Sequence, residues 1–198
     1  MLRRSPTLDQ LQDPTAARGL AELIVDQEHL DRVVRGGILK AKVSLDIATA
    51  DFKAMLVPED AHQHGSARSI VARLADLAHR GVEIRVLHAG VPSAPALEEL
   101  REVMPHRNYT VRRCPRLHAK AVVVDTAAMY LGSANLTGAG LGAKGKERRN
   151  IEWGVWTTAP GLIEGVLQQF NELWEGARCR PCGRRDICPV PLEEPRLR

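Results

Sequence analysis

The chain has 198 residues, a formal net charge of +4, 44% hydrophobic residues and only 4% aromatics. That length suits one domain with a sizeable core, which Leu, Val, Ile and Ala must supply. No apolar run approaches the roughly 20 residues of a membrane span, and no apolar h-region follows the basic Met1–Arg4 stretch. Stable membrane insertion is therefore not expected, and a cytoplasmic location is. The modest positive charge permits a polyanionic partner without demonstrating one. Neither an internal repeat nor a low-complexity tract is evident.

In chain order, Pro14 to about Val34 has helical spacing at Leu20, Leu23, Ile24 and Gln27, ended by Gly36-Gly37. Ile38 to Lys42 can add a short turn of helix. Val43 to Thr49 alternates as a strand. His62-Gln63-His64 lies in a polar setting that reads as a solvated loop rather than a metal site. Ser66 to Arg80 carries an apolar stripe at Ile70, Leu74 and Leu77 and stops at Gly81, as an amphipathic helix does. Val82 to Leu87 is the next strand, with His88 at its end in a structural role. A short helix over Pro95 to Val103 and a strand over Tyr109 to Arg113 follow. Strand, helix and strand in succession argue for an α/β fold.

The most informative stretch is Leu117–Asp125. It reads as a buried strand, in which His118 and Lys120 share a face about 6–7 Å apart. An imidazole beside a fixed cation suits a phosphate: the nitrogen attacks phosphorus while the ammonium holds an oxygen. Asp125, an odd number of residues from His118, points elsewhere and takes a structural role. After a short strand at Met129–Leu131, Gly132 allows close approach of the backbone, and Ser133 and Asn135 can face the same phosphate. Asn150 and Glu152 open the apolar run Ile151–Trp156, where a carboxylate could orient the His118 ring. Pro160 to Ala177 is a closing helix offering Leu162, Ile163, Val166, Leu167, Phe170 and Trp174 to the core.

His118-x-Lys120-(x)4-Asp125 followed by Gly132-Ser133-x-Asn135 resembles the signature of the phospholipase D superfamily. The order of elements over about two thirds of the chain, including Asn150-x-Glu152, is similar to its short, single-motif bacterial endonuclease branch. The resemblance implies a mixed β-sheet flanked by helices, with Ala50-Asp51-Phe52 lining the site. It also implies a phosphohistidine on His118, charge stabilisation by Lys120, Asn135 and Ser133, orientation of His118 by Glu152, and no catalytic metal. A second histidine must protonate the leaving group. No second His-x-Lys exists, so a homodimer sharing one site is expected. Three readings stand: a nuclease, a phospholipid-processing enzyme, and a nucleic-acid-binding module without catalysis.

Two basic clusters abut this site in sequence, Arg112-Arg113 with Arg116, and Arg148-Arg149. They are candidates for contacts to a DNA or RNA backbone. Gly138 to Lys146 reads as a mobile loop at the mouth of the site. The chain divides into an N-terminal helical extension (1–40), a catalytic domain (41–177) and a short cysteine-containing tail (178–198). In the tail, Cys179-x2-Cys182-x5-Cys188 is a compact triplet, and Cys114 is the only other cysteine. Without a secretion signal, thiolate metal ligation is favoured over disulfides. The triplet with Ile187-Cys188-Pro189 resembles the cysteine staple of certain iron–sulfur exonucleases, which implies a structural 4Fe-4S cluster completed by Cys114. Zinc is the alternative, since spacing alone does not separate the two.

Overall fold

The computed structural model describes residues 21–58, 67–104 and 106–193. Its frame is a seven-stranded sheet in the order β1-β9-β8-β7-β2-β5-β6. The strands are β1 (Ala21–Val25), β2 (Ser44–Thr49), β5 (Glu83–His88), β6 (Tyr109–Arg113), β7 (Ala121–Val124), β8 (Ala128–Gly132) and β9 (Trp153–Thr157). The minor strands β3 (Leu56–Val57) and β4 (Arg68–Ser69) pair apart from it. β2, β5 and β6 run parallel, whereas β7, β8, β9 and β1 join antiparallel, so the sheet is mixed.

Strand alternation sorts the core into two layers. On one face Leu45, Ile47, Ile84, Val86, Val122 and Val124 join the main cluster with α1 (Ile70–His79) and α2 (Ala94–Val103). Ser69 caps α1, its hydroxyl accepting from the Ala72 amide at 3.0 Å. On the other face α3 (Pro160–Trp174) lays Phe170 and Trp174 over Ala48, Leu87, Leu117 and Ala121. Beneath those rings the Arg85 Nε donates to the buried Asp46 carboxylate at 2.6 Å. The Arg85 guanidinium stands 5.0 Å from the Phe170 ring centre and 5.5 Å from that of Trp174. Pairing satisfies the two charges where solvent is scarce.

The structure departs from the sequence reading at the N-terminal side. Residues 14–20 of the expected helix lie outside the described residues, as do His62 and His64. Residues 21–25 are not helical: they form edge strand β1, in register with β9. Helix begins only at His29 and runs to Arg35. The sheet offers β1 five paired residues and a buried seat for Ile24, which outweighs weak helical spacing. The segment Leu117–Lys120 also lies before β7, which starts at Ala121.

Candidate active site

The parallel strands β2, β5 and β6 end at Thr49, His88 and Arg113, and the antiparallel β7 begins at that same end of the sheet. β8 finishes there and β9 starts there. Open α/β sheets place their sites where strand ends and loops converge like this. His118, Lys120, Ser133, Asn135 and Glu152 all belong to these converging segments.

His118 and Lys120 sit on the approach to β7. The Lys120 Nζ donates to the His118 carbonyl at 2.9 Å and stands 3.2 and 3.3 Å from the two ring nitrogens. The side chains thus share one side, with the ammonium against the imidazole. The Lys120 carbonyl accepts from the Gly132 amide at 3.1 Å, which sets this segment alongside Gly132-Ser133. His118 is exposed.

Gly132 and Gly154 face each other across β8 and β9. A Cβ on Gly132 would stand 2.4 Å from the Tyr130 hydroxyl, and one on Gly154 2.2 Å from its ring. Both glycines make room for Tyr130, which is fully buried. Its hydroxyl lies 3.0 Å from the His29 Nε2 and accepts from the Ala134 amide at 3.0 Å. Burial raises the phenol to about 12 and lowers the His29 imidazole, so both stay neutral. This pair anchors the turn carrying Ser133, and the sequence reading did not find it. Two glycines flanking an aromatic across a hairpin were the available signal.

Ser133 is tied on every side. Its amide and hydroxyl donate to the Trp153 carbonyl at 2.9 and 3.1 Å, and its hydroxyl accepts from the Trp153 amide at 3.0 Å and contacts Glu152. Glu152 is buried, and its other carboxylate oxygen accepts from the Asn150 Nδ2 at 2.9 Å. Within the described residues it makes no hydrogen bond to His118: the carboxylate fastens the Ser133 turn. The Asn135 Oδ1 accepts from the Ala50 and Asp51 amides, both at 3.1 Å. That leaves the Asn135 amide group as the end available to a ligand. Thr49, absent from the sequence-based set, accepts from the Leu136 amide at 2.9 Å and donates to the Asp51 carbonyl at 2.7 Å.

Asp125 lies at the opposite end of β7, about 20 Å of extended chain from His118. Its carboxylate accepts from the backbone amides of Lys42, Val43 and Ser44 at 2.8–3.1 Å. Burial opposes the charge, but these amides and the Lys42 ammonium outweigh it and hold the carboxyl below its usual range. Asp125 ties two strands together and touches nothing near His118.

The arginines divide. Arg112 donates to the Trp174 carbonyl at 2.5 Å and stacks on its ring at 4.5 Å, so it packs under α3. Arg113 donates to the Ala89 carbonyl at 3.1 Å and sits 3.7 Å from Glu193. Arg149 bonds the Gln27 side chain at 2.6 Å. Arg116 and Arg148 are exposed. The remaining histidines differ: His88 is buried, with burial and the Arg113 charge lowering it to about 4, whereas the His79 and His106 rings lie tilted against each other, centroids 4.5 Å apart, near the far end of the sheet. No described histidine other than His118 opens on the site.

Beside the site the outer face of the antiparallel edge is apolar and exposed among the described residues. Leu23, Val155 and Leu131 align across β1, β9 and β8, and Trp153 and Ile151 are 68% and 82% exposed. On the site's other flank, Cys114, Cys179, Cys182 and Cys188 all line one cavity of about 270 Å³, which His118 also borders. Burial raises the Cys179 thiol, with Cys114, Cys188 and Cys182 adding to the effect, while the Arg184 amide lowers Cys182. All four thiols are free, and among the described residues no three His, Cys, Asp or Glu side chains stand in ligating geometry.

A mixed sheet with His-x-Lys, Gly-Ser-x-Asn and Asn-x-Glu converging at one end defines a phospholipase D-like domain. Residues 34–174 match the family model described as cardiolipin synthase, PLD-like domain, and the chain belongs to that family. Its fold is similar to that of a phospholipase D family member, Nuc from Salmonella typhimurium. The TM-score is 0.59 at 20% identity, over 78% of this chain and 93% of that one. It is also similar to NucT from Helicobacter pylori, with a TM-score of 0.58 at 17% identity, over 78% and 95% of the two chains. A comparison with curated proteins finds no match. No helix among the described residues is long and apolar enough to cross a membrane.

Proposed function

We propose that this protein is a phosphodiesterase that hydrolyses nucleic-acid backbones through a phosphohistidine on His118, working as a homodimer. The observation that carries the reading is the Lys120 ammonium against the exposed His118 ring, with the Ser133 turn and the Asn135 amide converging on the same end of the sheet. A His118 ring nitrogen attacks phosphorus, and the P–O bond to the leaving oxygen breaks as the P–N bond forms. The leaving oxygen takes its proton from His118 of the partner subunit. Water then gives a proton back to that histidine, attacks phosphorus and releases the first ring. Lys120 and Asn135 neutralise charge on the phosphoryl oxygens in both steps. The reaction calls for no catalytic metal.

Two further observations support the partner. Among the described residues no second histidine opens on this end of the sheet, and an exposed apolar face lies beside it. A two-fold axis there would cover Leu131, Trp153 and Val155 while bringing two copies of His118 together. Among substrates, exposed Arg116 and Arg148 favour a polyanionic backbone over an isolated headgroup.

The test incubates purified protein with single-stranded DNA, duplex DNA, RNA and phosphatidylcholine vesicles after brief EDTA treatment. Cleavage of a nucleic acid is expected, and His118→Ala and His118→Asn should lower kcat by several orders of magnitude while retaining the fold. Turnover quenched in denaturant at mildly alkaline pH, where a P–N bond survives, should leave the phosphoryl group on wild-type protein. Hydrolysis confined to vesicles, or restored only by added Mg²⁺, would overturn the reading.

A further inference from the structure

We infer that Cys114, Cys179, Cys182 and Cys188 together bind a metal centre, through four thiolates, that clamps the C-terminal tail onto the segment leading into His118. This goes beyond the proposed activity and does not depend on it. The spacing of the triplet raised the idea, but the sequence could not say whether Cys114 reaches it. In the fold it does: Cys114 leaves the end of β6, the tail turns back after α3, and all four residues line one cavity.

The local backbone folds the tail back over the cavity. The Cys182 amide donates to the Cys179 carbonyl at 3.2 Å, and the Cys179 amide donates to the Gly176 carbonyl at 2.9 Å. These turns bring the CxxC pair round on itself. Gly176, at φ +77°, is where α3 ends and the tail reverses. On the opposite wall the Leu117 amide donates to the Cys114 carbonyl at 2.9 Å, one residue before His118.

Charge makes the second argument. Among the described residues no carboxylate lines the cavity, while Arg116, Arg184 and Arg185 do. Among the described residues none of these three arginines has a carboxylate partner. Neutral thiols offer such a wall no compensation. Zinc held by four thiolates carries a net charge of about −2, and so does an oxidised 4Fe-4S cluster with four cysteines. Either centre would neutralise the surrounding guanidiniums and fix them beside His118. Binding would draw the thiolates inward, to about 3.8 Å apart for zinc at its usual Zn–S distance of about 2.3 Å.

The experiment purifies the full chain anaerobically from cells supplied with iron and zinc, then measures metal per chain and the visible spectrum. One zinc, or about four irons with absorbance near ~400 nm, is expected; the two outcomes identify the centre. Cys114→Ser and Cys188→Ser should each lower metal content at least about tenfold. Should either variant fail to fold, alkylation of the folded wild type decides. All four thiols should resist iodoacetamide until a chelator is added. Wild-type protein without stoichiometric metal, four thiols alkylated at once, or full metal content in Cys114→Ser would overturn the inference. So would Cys114 disulfide-linked to the triplet.

Discussion

Replacing Asp125 separates a scaffold role from a chemical one within the same motif. In Asp125→Ala the backbone amides of Lys42, Val43 and Ser44 lose their shared acceptor. A hydrogen bond to a charged group contributes roughly 1.5–3 kcal/mol, but Lys42 and Val43 are exposed and water replaces part of their loss. About 2–3 kcal/mol remains. Asp125 also sits at φ +52°, a left-handed conformation that costs alanine about 1 kcal/mol more than aspartate. The expected total is about 3–4 kcal/mol, or a fall in Tm of about 6–16 °C for a domain of this size. Asp125→Asn keeps one acceptor oxygen and tolerates the backbone, so its Tm should fall by less than half as much. Differential scanning calorimetry measures both, and kcat is read well below the lower Tm, where it should stay within about twofold of wild type. An Asp125→Ala protein with unchanged Tm and abolished turnover would refute the reasoning.

His88 should make the fold acid-sensitive. Its folded pKa is held at about 4 against about 6.5 unfolded, so its contribution is complete above pH 6.5 and lost as pH falls toward 4. The loss is about 3 kcal/mol, read as a drop in Tm between pH 7 and pH 4.5 that flattens in His88→Gln. Tyr130→Phe leaves the Ala134 amide without its acceptor in a buried setting and should cost about 2 kcal/mol by urea denaturation. Trp153→Glu, on the exposed face, should yield monomers by light scattering and lose turnover with them; a dimeric, active variant would remove the support for a shared site. Glu152→Gln keeps the size of the carboxylate but weakens its hold on the Ser133 hydroxyl, and should lower kcat at least about tenfold with little change in Tm.

Much of this fold could be read directly from the chain. β2, β5 and β6 alternate apolar and polar residues, and α1 carries its stripe at Ile70, Leu74 and Leu77, so local periodicity and the deep burial of these elements agree. The neighbourhood of His118 and Lys120 was legible because two residues of separation suffice to set it. What escaped the sequence depends on long-range pairing. Residues 21–25 have helical spacing, yet β9 offers them a ladder, and only the assembled sheet decides between the two. Ser133 and Glu152 meet through adjacent strands, which no local pattern announces. Arg112, basic and next to the site in sequence, turns under Trp174 because the carbonyl end of α3 and an aromatic face lie within its reach.

The facing pair Gly132 and Gly154 has a consequence for how chains of this kind can diverge. The Tyr130 side chain occupies the space where a Cβ on Gly154 would stand, whereas a Cβ on Gly132 would also meet the Gly154 Cα and the Trp153 carbonyl. A methyl group at 154 is therefore compatible with the strand pairing only after the ring has been exchanged for something smaller, and one at 132 is excluded by backbone whatever stands at 130. Positions 130 and 154 form a single heritable unit. An alignment of relatives should show glycine at 132 throughout and a small residue at 154 wherever 130 is aromatic, with substitutions at 130 and 154 appearing together rather than one at a time.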